Sequence, residues 1–371
     1  MNNGHYAHED VAREEDAREG AAREGKAFKG SVLNSGIFKN SGAKNNAPSK
    51  AVRSGKGNGI RLLWASLGVW RRYRNVTGIQ TMAAHDVGRG SETLMTFVKG
   101  DLFRAARWLS AGARRKALVV TGFYIPHARY PAAETDGPAG AVELCSALRS
   151  IGGDAWLVSD AWCEPVVAAA AHGTLPDDHV LIAPGGERFA AWLESVTTLV
   201  RARSIDTVIF IERVGPSLDG IPRNMRGMDI LEWTAPLSRL ASLGLHTIGI
   251  GDGGNEIGMG RIARFAIEGA VADGTHIACS VATRELIVAG TSNWGGHALV
   301  CAMYSLGCRR LEAILDEAWH RDLLARIAAA GGLDGVTLRN TPTVDGLNEE
   351  RYYAQIRAMS HRARIRRDTG I

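Results

Sequence analysis

The densest group of chemistry-bearing residues in this chain is Gly251-Asp252-Gly253-Gly254-Asn255-Glu256-Ile257-Gly258-Met259-Gly260. Glycines let the backbone approach a ligand closely, and carboxylates set among them suit proton transfer, an ammonium group or a divalent cation. Four further groups carry the same residue types. They are Glu134-Thr135-Asp136-Gly137-Pro138, Glu212-Arg213-Val214-Gly215, Asn224-Met225-Arg226-Gly227-Met228-Asp229 and Thr291-Ser292-Asn293-Trp294. Paired acids can divide acid and base roles, and arginine forks match carboxylates. Each group also has a plainer reading. Asp136 would cap a helix, Glu212 and Arg213 would pair at a strand end, Asp229 would end a turn, and Asn293 would cap.

Gly249-Ile250-Gly251-Asp252-Gly253-Gly254 also fits G-x-G-x-x-G after a strand, with Asp273 about 20 residues on, so a dinucleotide has to be weighed. Two acids inside the cradle oppose a pyrophosphate, and no second strand is evident before Asp273. No G-x-S-x-G elbow, Walker loop or H-E-x-x-H pair occurs. The five cysteines form no C-x-x-C pair, which argues against a thiolate zinc site or a disulfide framework.

The elements that must position these groups read as alternating strands and helices. Apolar runs at 117–121, 155–159, 179–182, 207–211 and 246–250 predict buried strands, followed by later strands at 277–281 and 285–289. Helices are expected from near Ile60, over 91–109, 138–151, 164–171, 188–202 and 233–243, and from Trp294, Arg310 and Arg321. This alternation predicts one large three-layer α/β domain over 59–371, a mostly parallel sheet with helices on both faces. In such sheets ligands sit beyond the carboxyl ends of the strands, which is where the polar groups fall.

Composition agrees with that class. The chain has 371 residues, 45% hydrophobic and 22% charged, with 44 glycines. Residues 1–58 lack large apolar side chains in number and are expected to be a disordered tail. The net charge of +5 lies mostly at the two ends. It reads as solvated tail charge, including His361 to Arg367, rather than as a nucleic-acid surface. No run approaches the roughly 18 apolar residues that span a bilayer. Acids interleaved near the N-terminus oppose a secretory or transit signal, so a cytoplasmic protein is expected, with self-association into a homo-oligomer left open.

Taken together, Glu134-Thr135-Asp136-Gly137-Pro138, Ile211-Glu212-Arg213-Val214-Gly215, Asn224-Met225-Arg226-Gly227, Ile248 to Gly260, Ser292-Asn293-Trp294-Gly295 and Thr343-Val344-Asp345-Gly346 resemble the D-glutamate cyclase family over roughly residues 70–360. The resemblance implies a hydro-lyase that interconverts D-glutamate with 5-oxo-D-proline and water. Family members carry an additional upstream domain, and here residues 1–58 stand in its place.

The chemistry itself then suggests roles. Asp252 or Glu256 would be the base, and Arg213 and Arg226 would clamp the two carboxylates. Glu134, Asp136 and Glu212 would hold Mn²⁺ or Mg²⁺ or protonate the leaving hydroxyl. Asn255 and Asn293 would orient the substrate, with Gly253 and Gly254 in the loop that receives it. A positive φ at Gly253 would make any side chain there strained. The competing readings are a hydrolase or dehydratase of another small amino or hydroxy acid, and a non-catalytic amino-acid-binding protein.

Overall fold

Short apolar runs with no polar face can satisfy their backbone only inside a sheet covered on both sides, and they do so here. The computed structural model describes residues 56–111 and 114–365. In chain order the strands are β1 (Lys116–Val120), a small antiparallel ribbon of β2 (Tyr124–Ile125) and β3 (Ala132–Ala133), then β4 (Asp154–Asp160), β5 (Val180–Ala183), β6 (Thr207–Ile211), β7 (His246–Gly251) and β8 (Glu285–Val288). The main sheet has the order β5-β4-β1-β6-β7-β8, and every pairing is parallel. The chain therefore winds outward from β1 in one direction and from β6 in the other. The switch between these two strands opens a crevice at their carboxyl ends.

The helices are α1 (Lys56–Ala83), α2 (Ser91–Met95), α3 (Asp101–Ser110), α4 (Pro138–Ser150), α5 (Glu164–Ala171), α6 (Arg188–Arg203), α7 (Arg264–Ala270), α8 (Gly274–Ile277), α9 (Ser292–Ser305), α10 (Glu317–Ala329) and α11 (Glu349–Arg364). Alternate residues of β1 show the layering. Ala117 and Val119 join the core under α3, α4, α9 and α11, whereas Leu118 and Val120 join the core under α6. Helix α9 is buried along nearly its whole length, which is why it reads as uniformly apolar.

Several expectations are corrected. The helix expected over 91–109 breaks into α2, a 3-10 turn and α3, because Gly100 adopts φ 86° between them. Residues 277–281 are not a strand. Asp273 starts the short α8, and the residues after it meet the glycine-rich segment through isolated backbone bonds of Cys279 and Val281 and bridges to Ala282 rather than as a strand. The 233–243 helix is a 3-10 turn over Leu237–Ser242 behind Pro236. The basic C-terminal stretch is docked as the end of α11 through residue 364, where Arg362 donates to the Asn75 carbonyl and Arg364 pairs with Glu312 at 2.6 Å. The expected tail falls outside the described residues as far as residue 55, and α1 starts at Lys56, ahead of the expected start near Ile60. No described helix is long and apolar enough to cross a membrane.

Candidate active site

The segments that follow β1, β6, β7 and β8 meet at the carboxyl edge. They bring together Glu134, Asp136, Glu212, Asp252 and Glu256, all buried. The loop before α11 adds Asp345, also buried. Six carboxylates therefore share one enclosed rim.

Two of them are anchored by the backbone. Asp136 accepts from the amides of Ser292 and Asn293 at 2.7 and 2.8 Å and so caps α9 rather than its own helix. Asn293 returns the arrangement, since its Oδ1 accepts from the amides of Gly137 and Gly140 at the start of α4. Each helix start is thus capped by the other's residue. Glu256 folds back into its own loop and accepts from the amides of Asp252, Gly253 and Gly254 at 3.1, 2.7 and 2.8 Å. That nest is the place a phosphate would need, and the chain's own carboxylate fills it. Asp273 lies exposed with no strand between it and the loop, so the dinucleotide alternative fails on both counts.

The remaining acids are less committed. Glu134 Oε1 and Asp252 Oδ1 are buried without a hydrogen-bond partner, as is the Thr121 hydroxyl at the end of β1. Glu212 Oε2 accepts from the Ser292 hydroxyl. Burial, reinforced by neighbouring acids, pushes Glu134 and Glu212 well above the usual carboxylate range. Burial does the same to Asp252, against the opposing pull of Arg89. It raises Asp136 to about 8, with Asp345 adding to the effect and the Asn293 and Ser292 amides opposing it. Glu212 and Asp345 both have left-handed backbones, φ 44° and 53°, a strained geometry that in non-glycine residues gathers at functional positions.

One guanidinium faces this charge. Arg89 pairs with Asp252 and with Asp345, the latter at 2.5 Å. It is fixed by an Asp86 turn whose carboxylate accepts from the amides of Gly88, Arg89 and Gly90. Its side chain is 18% exposed, the most open in this group, so it marks the side from which solvent enters. Reading strand ends alone misses Arg89, which sits between two helices. Asp345 was visible in Thr343-Val344-Asp345-Gly346, but Asp-Gly also reads as a plain turn. Asp334 shapes that turn by accepting from the Gly346 amide and the Thr343 hydroxyl.

The expected clamp residues are placed differently. Arg213 is buried against Asp160 at 2.6 Å and donates to the carbonyls of Gly122 and Ala235, so its fork is committed to the protein interior. Arg226 is exposed on a turn whose Met225 sulfur lies 2.6 Å from where a Gly253 Cβ would be. Asn255 donates to the Arg223 carbonyl and holds that turn against the loop. The left-handed glycine is Gly254, φ 98°, rather than Gly253, which is constrained by Met225 instead. The trio expected to hold a cation is regrouped too. Asp136 falls with Asp252 and Asp345, and Glu212 with Asp252 and Glu256, each set with oxygens within 4.8 Å of one another.

A doubly wound parallel sheet with a buried cluster of acids at its switch point defines an α/β protein, and that cluster is its candidate site. The chain belongs to the family described as D-glutamate cyclase-like, C-terminal, whose match spans residues 79–360. It is 34% identical over 247 residues to the human protein named D-glutamate cyclase, mitochondrial. That match covers 63% of this chain but only 39% of the human protein.

Proposed function

We propose that this chain is a D-glutamate cyclase-like hydro-lyase that interconverts D-glutamate with 5-oxo-D-proline and water. The observation that carries the reading is the pair of unpartnered buried oxygens, Glu134 Oε1 and Asp252 Oδ1, on two carboxyls that burial pushes far above their ordinary range. Ring closure needs both an acid and a base at once, and carboxyls of shifted affinity supply both near neutral pH. In this reading Asp252 moves one proton from the substrate ammonium to a γ-carboxylate oxygen, the freed nitrogen attacks the γ-carboxyl carbon, and Asp252 takes a second proton from that nitrogen as the ring closes. Glu134, with Glu212 behind it, delivers the proton that lets one γ-oxygen leave as water. Arg89 takes over the carboxylate-clamping role that Arg213 cannot fill, and Arg226 guides the substrate at the mouth. Holding a flexible five-carbon acid in a ring-closing pose contributes several kcal/mol by itself, within the roughly 7–11 available to positioning.

A divalent cation, Mn²⁺ or Mg²⁺, belongs to the proposal. Asp252 Oδ1 is an oxygen donor without a partner, and an ion bound there would displace the protons that burial holds on these acids. Asp252 would hold the ion with Asp136 and Asp345, or with Glu212 and Glu256. When bound, it would neutralise the γ-carboxylate.

The test incubates the purified chain with D- and L-glutamate and with both 5-oxoproline enantiomers, with and without chelator, reading products by chiral chromatography. Formation of 5-oxoproline from the D-enantiomer is the expected result. Binding of D-glutamate with no product in either direction would overturn the lyase reading and leave a binding protein.

A further inference from the structure

A second buried cluster lies away from the acidic rim, where α4, α9 and α10 meet. Glu143, His297 and His320 supply it, and all three are buried. Donor and acceptor roles follow from the neighbours. The single proton of the Ser360 hydroxyl goes to the Leu315 carbonyl at 2.9 Å. Its oxygen must therefore accept from His297 Nε2, 3.0 Å away. That leaves His297 Nδ1 with a bare lone pair, 2.7 Å from Glu143 Oε1. His320 Nε2 has no partner and faces the same Glu143 oxygen at 3.8 Å. Glu143 Oε2 is also buried and unpartnered.

Three electron-pair donors thus converge, and no single proton satisfies all of them. A single proton between Glu143 and His297 settles one contact and leaves His320 Nε2 and Glu143 Oε2 orphaned. A cation settles all of them. The outward nitrogen of His297 is tied to the Ser360 hydroxyl oxygen, the arrangement that orients a histidine for metal. The donor atoms already lie within 4.8 Å of one another, and the imidazoles stand perpendicular at 88°.

We propose that Glu143, His297 and His320 form a buried binding site for one divalent first-row transition-metal ion, held by two imidazole nitrogens and the Glu143 carboxylate. Two nitrogens and two carboxylate oxygens make a closed four-donor set, which suits Zn²⁺. Such an ion would pin α4, α9 and α10 together beneath the rim and would be structural rather than catalytic.

The experiment uses the full chain without a histidine tag, stripped with chelator, dialysed and reloaded with Zn²⁺. One equivalent should survive gel filtration, and zinc-edge X-ray absorption of the wild-type protein should show imidazole scattering. Glu143→Gln and His320→Gln should each weaken Zn²⁺ binding by at least about 100-fold. Asp345→Asn, at the rim, should keep it. Failure of the wild type to retain zinc overturns the proposal, as does an oxygen-only coordination shell, which would put the ion at the rim, where no histidine lies among the six acids. The absorption spectrum decides the matter even if either substitution prevents folding.

Discussion

The six carboxylates of the rim are alike in type and burial, yet they divide into two kinds. Asp136 and Glu256 each have oxygens occupied by three backbone amides, so these carboxyls are part of the architecture. Glu134 and Asp252 each keep an oxygen with no partner at all. Burial alone therefore does not separate a structural acid from a reactive one. The supply of backbone donors does, because an amide-saturated carboxylate has little left to offer a substrate.

Substitution at the two kinds of acid should have opposite signatures. Glu134→Gln and Asp252→Asn are each expected to lower turnover by at least about 10²-fold, the usual contribution of a positioned acid or base, while thermal melting moves little. Arg89 keeps Asp345 as a partner in the second variant. Near-normal turnover in both would erase the distinction and shift the chemistry to Glu212.

Glu256→Gln should instead act through stability. Its amide group would present a donor to backbone donors, leaving one or more buried amides unsatisfied at a cost of about 1–3 kcal/mol. Chemical denaturation reads this directly, and an unchanged midpoint with a large loss of turnover would make Glu256 the base after all.

The pH dependence sharpens the contrast further. In the folded protein Asp136 releases its proton at about 8 instead of its ordinary 3.8, so its contribution is complete below 3.8 and is lost as pH rises through about 8. Glu134, Glu212, Asp252 and Asp345 shift the same way. His297 and His320 shift down, to about 3 and about 4, and add stability only as pH climbs toward 6.5. Above 6.5 the signs no longer conflict. In chelator and without substrate, melting should fall as pH rises from about 6.5 through about 8. A flat or rising profile by calorimetry would mean that the rim acids are ionised throughout.

The smallest effect is expected at the mouth. Arg226 is exposed, so Arg226→Lys should change stability by no more than about 0.5 kcal/mol and show itself as a modest rise in KM with kcat unchanged. A drop in kcat would place Arg226 against the reacting atoms.

The strand pattern was readable because β1, β4, β6 and β7 are short, continuous apolar runs closed by polar or glycine residues. The rim was readable for a related reason, since residues just past those runs must share one edge of a parallel sheet. What stayed hidden depended on contacts far apart in the chain. Nothing near Arg213 announces Asp160 as its partner, and nothing near Asp136 announces that it caps a helix beginning at residue 292. Helix α11 was legible in principle, with Asn348 at its cap and Tyr352, Tyr353, Ile356, Met359 and Ala363 along one buried face. Its dense arginines and glutamates drew attention to charge instead.

The mutual capping of α4 and α9 also bears on how the molecule forms. Asp136 and Asn293 are 157 positions apart, so the contact between them closes a very long loop. Until that closure the rim acids stand in water and are ionised at neutral pH. Drawing Glu134, Asp136, Glu212, Asp252 and Asp345 together out of water raises their proton affinity, so the final stage of folding takes protons up from the solvent. Refolding in a weakly buffered solution should therefore be followed by a rise in bulk pH, a signal given off by the site itself as it assembles.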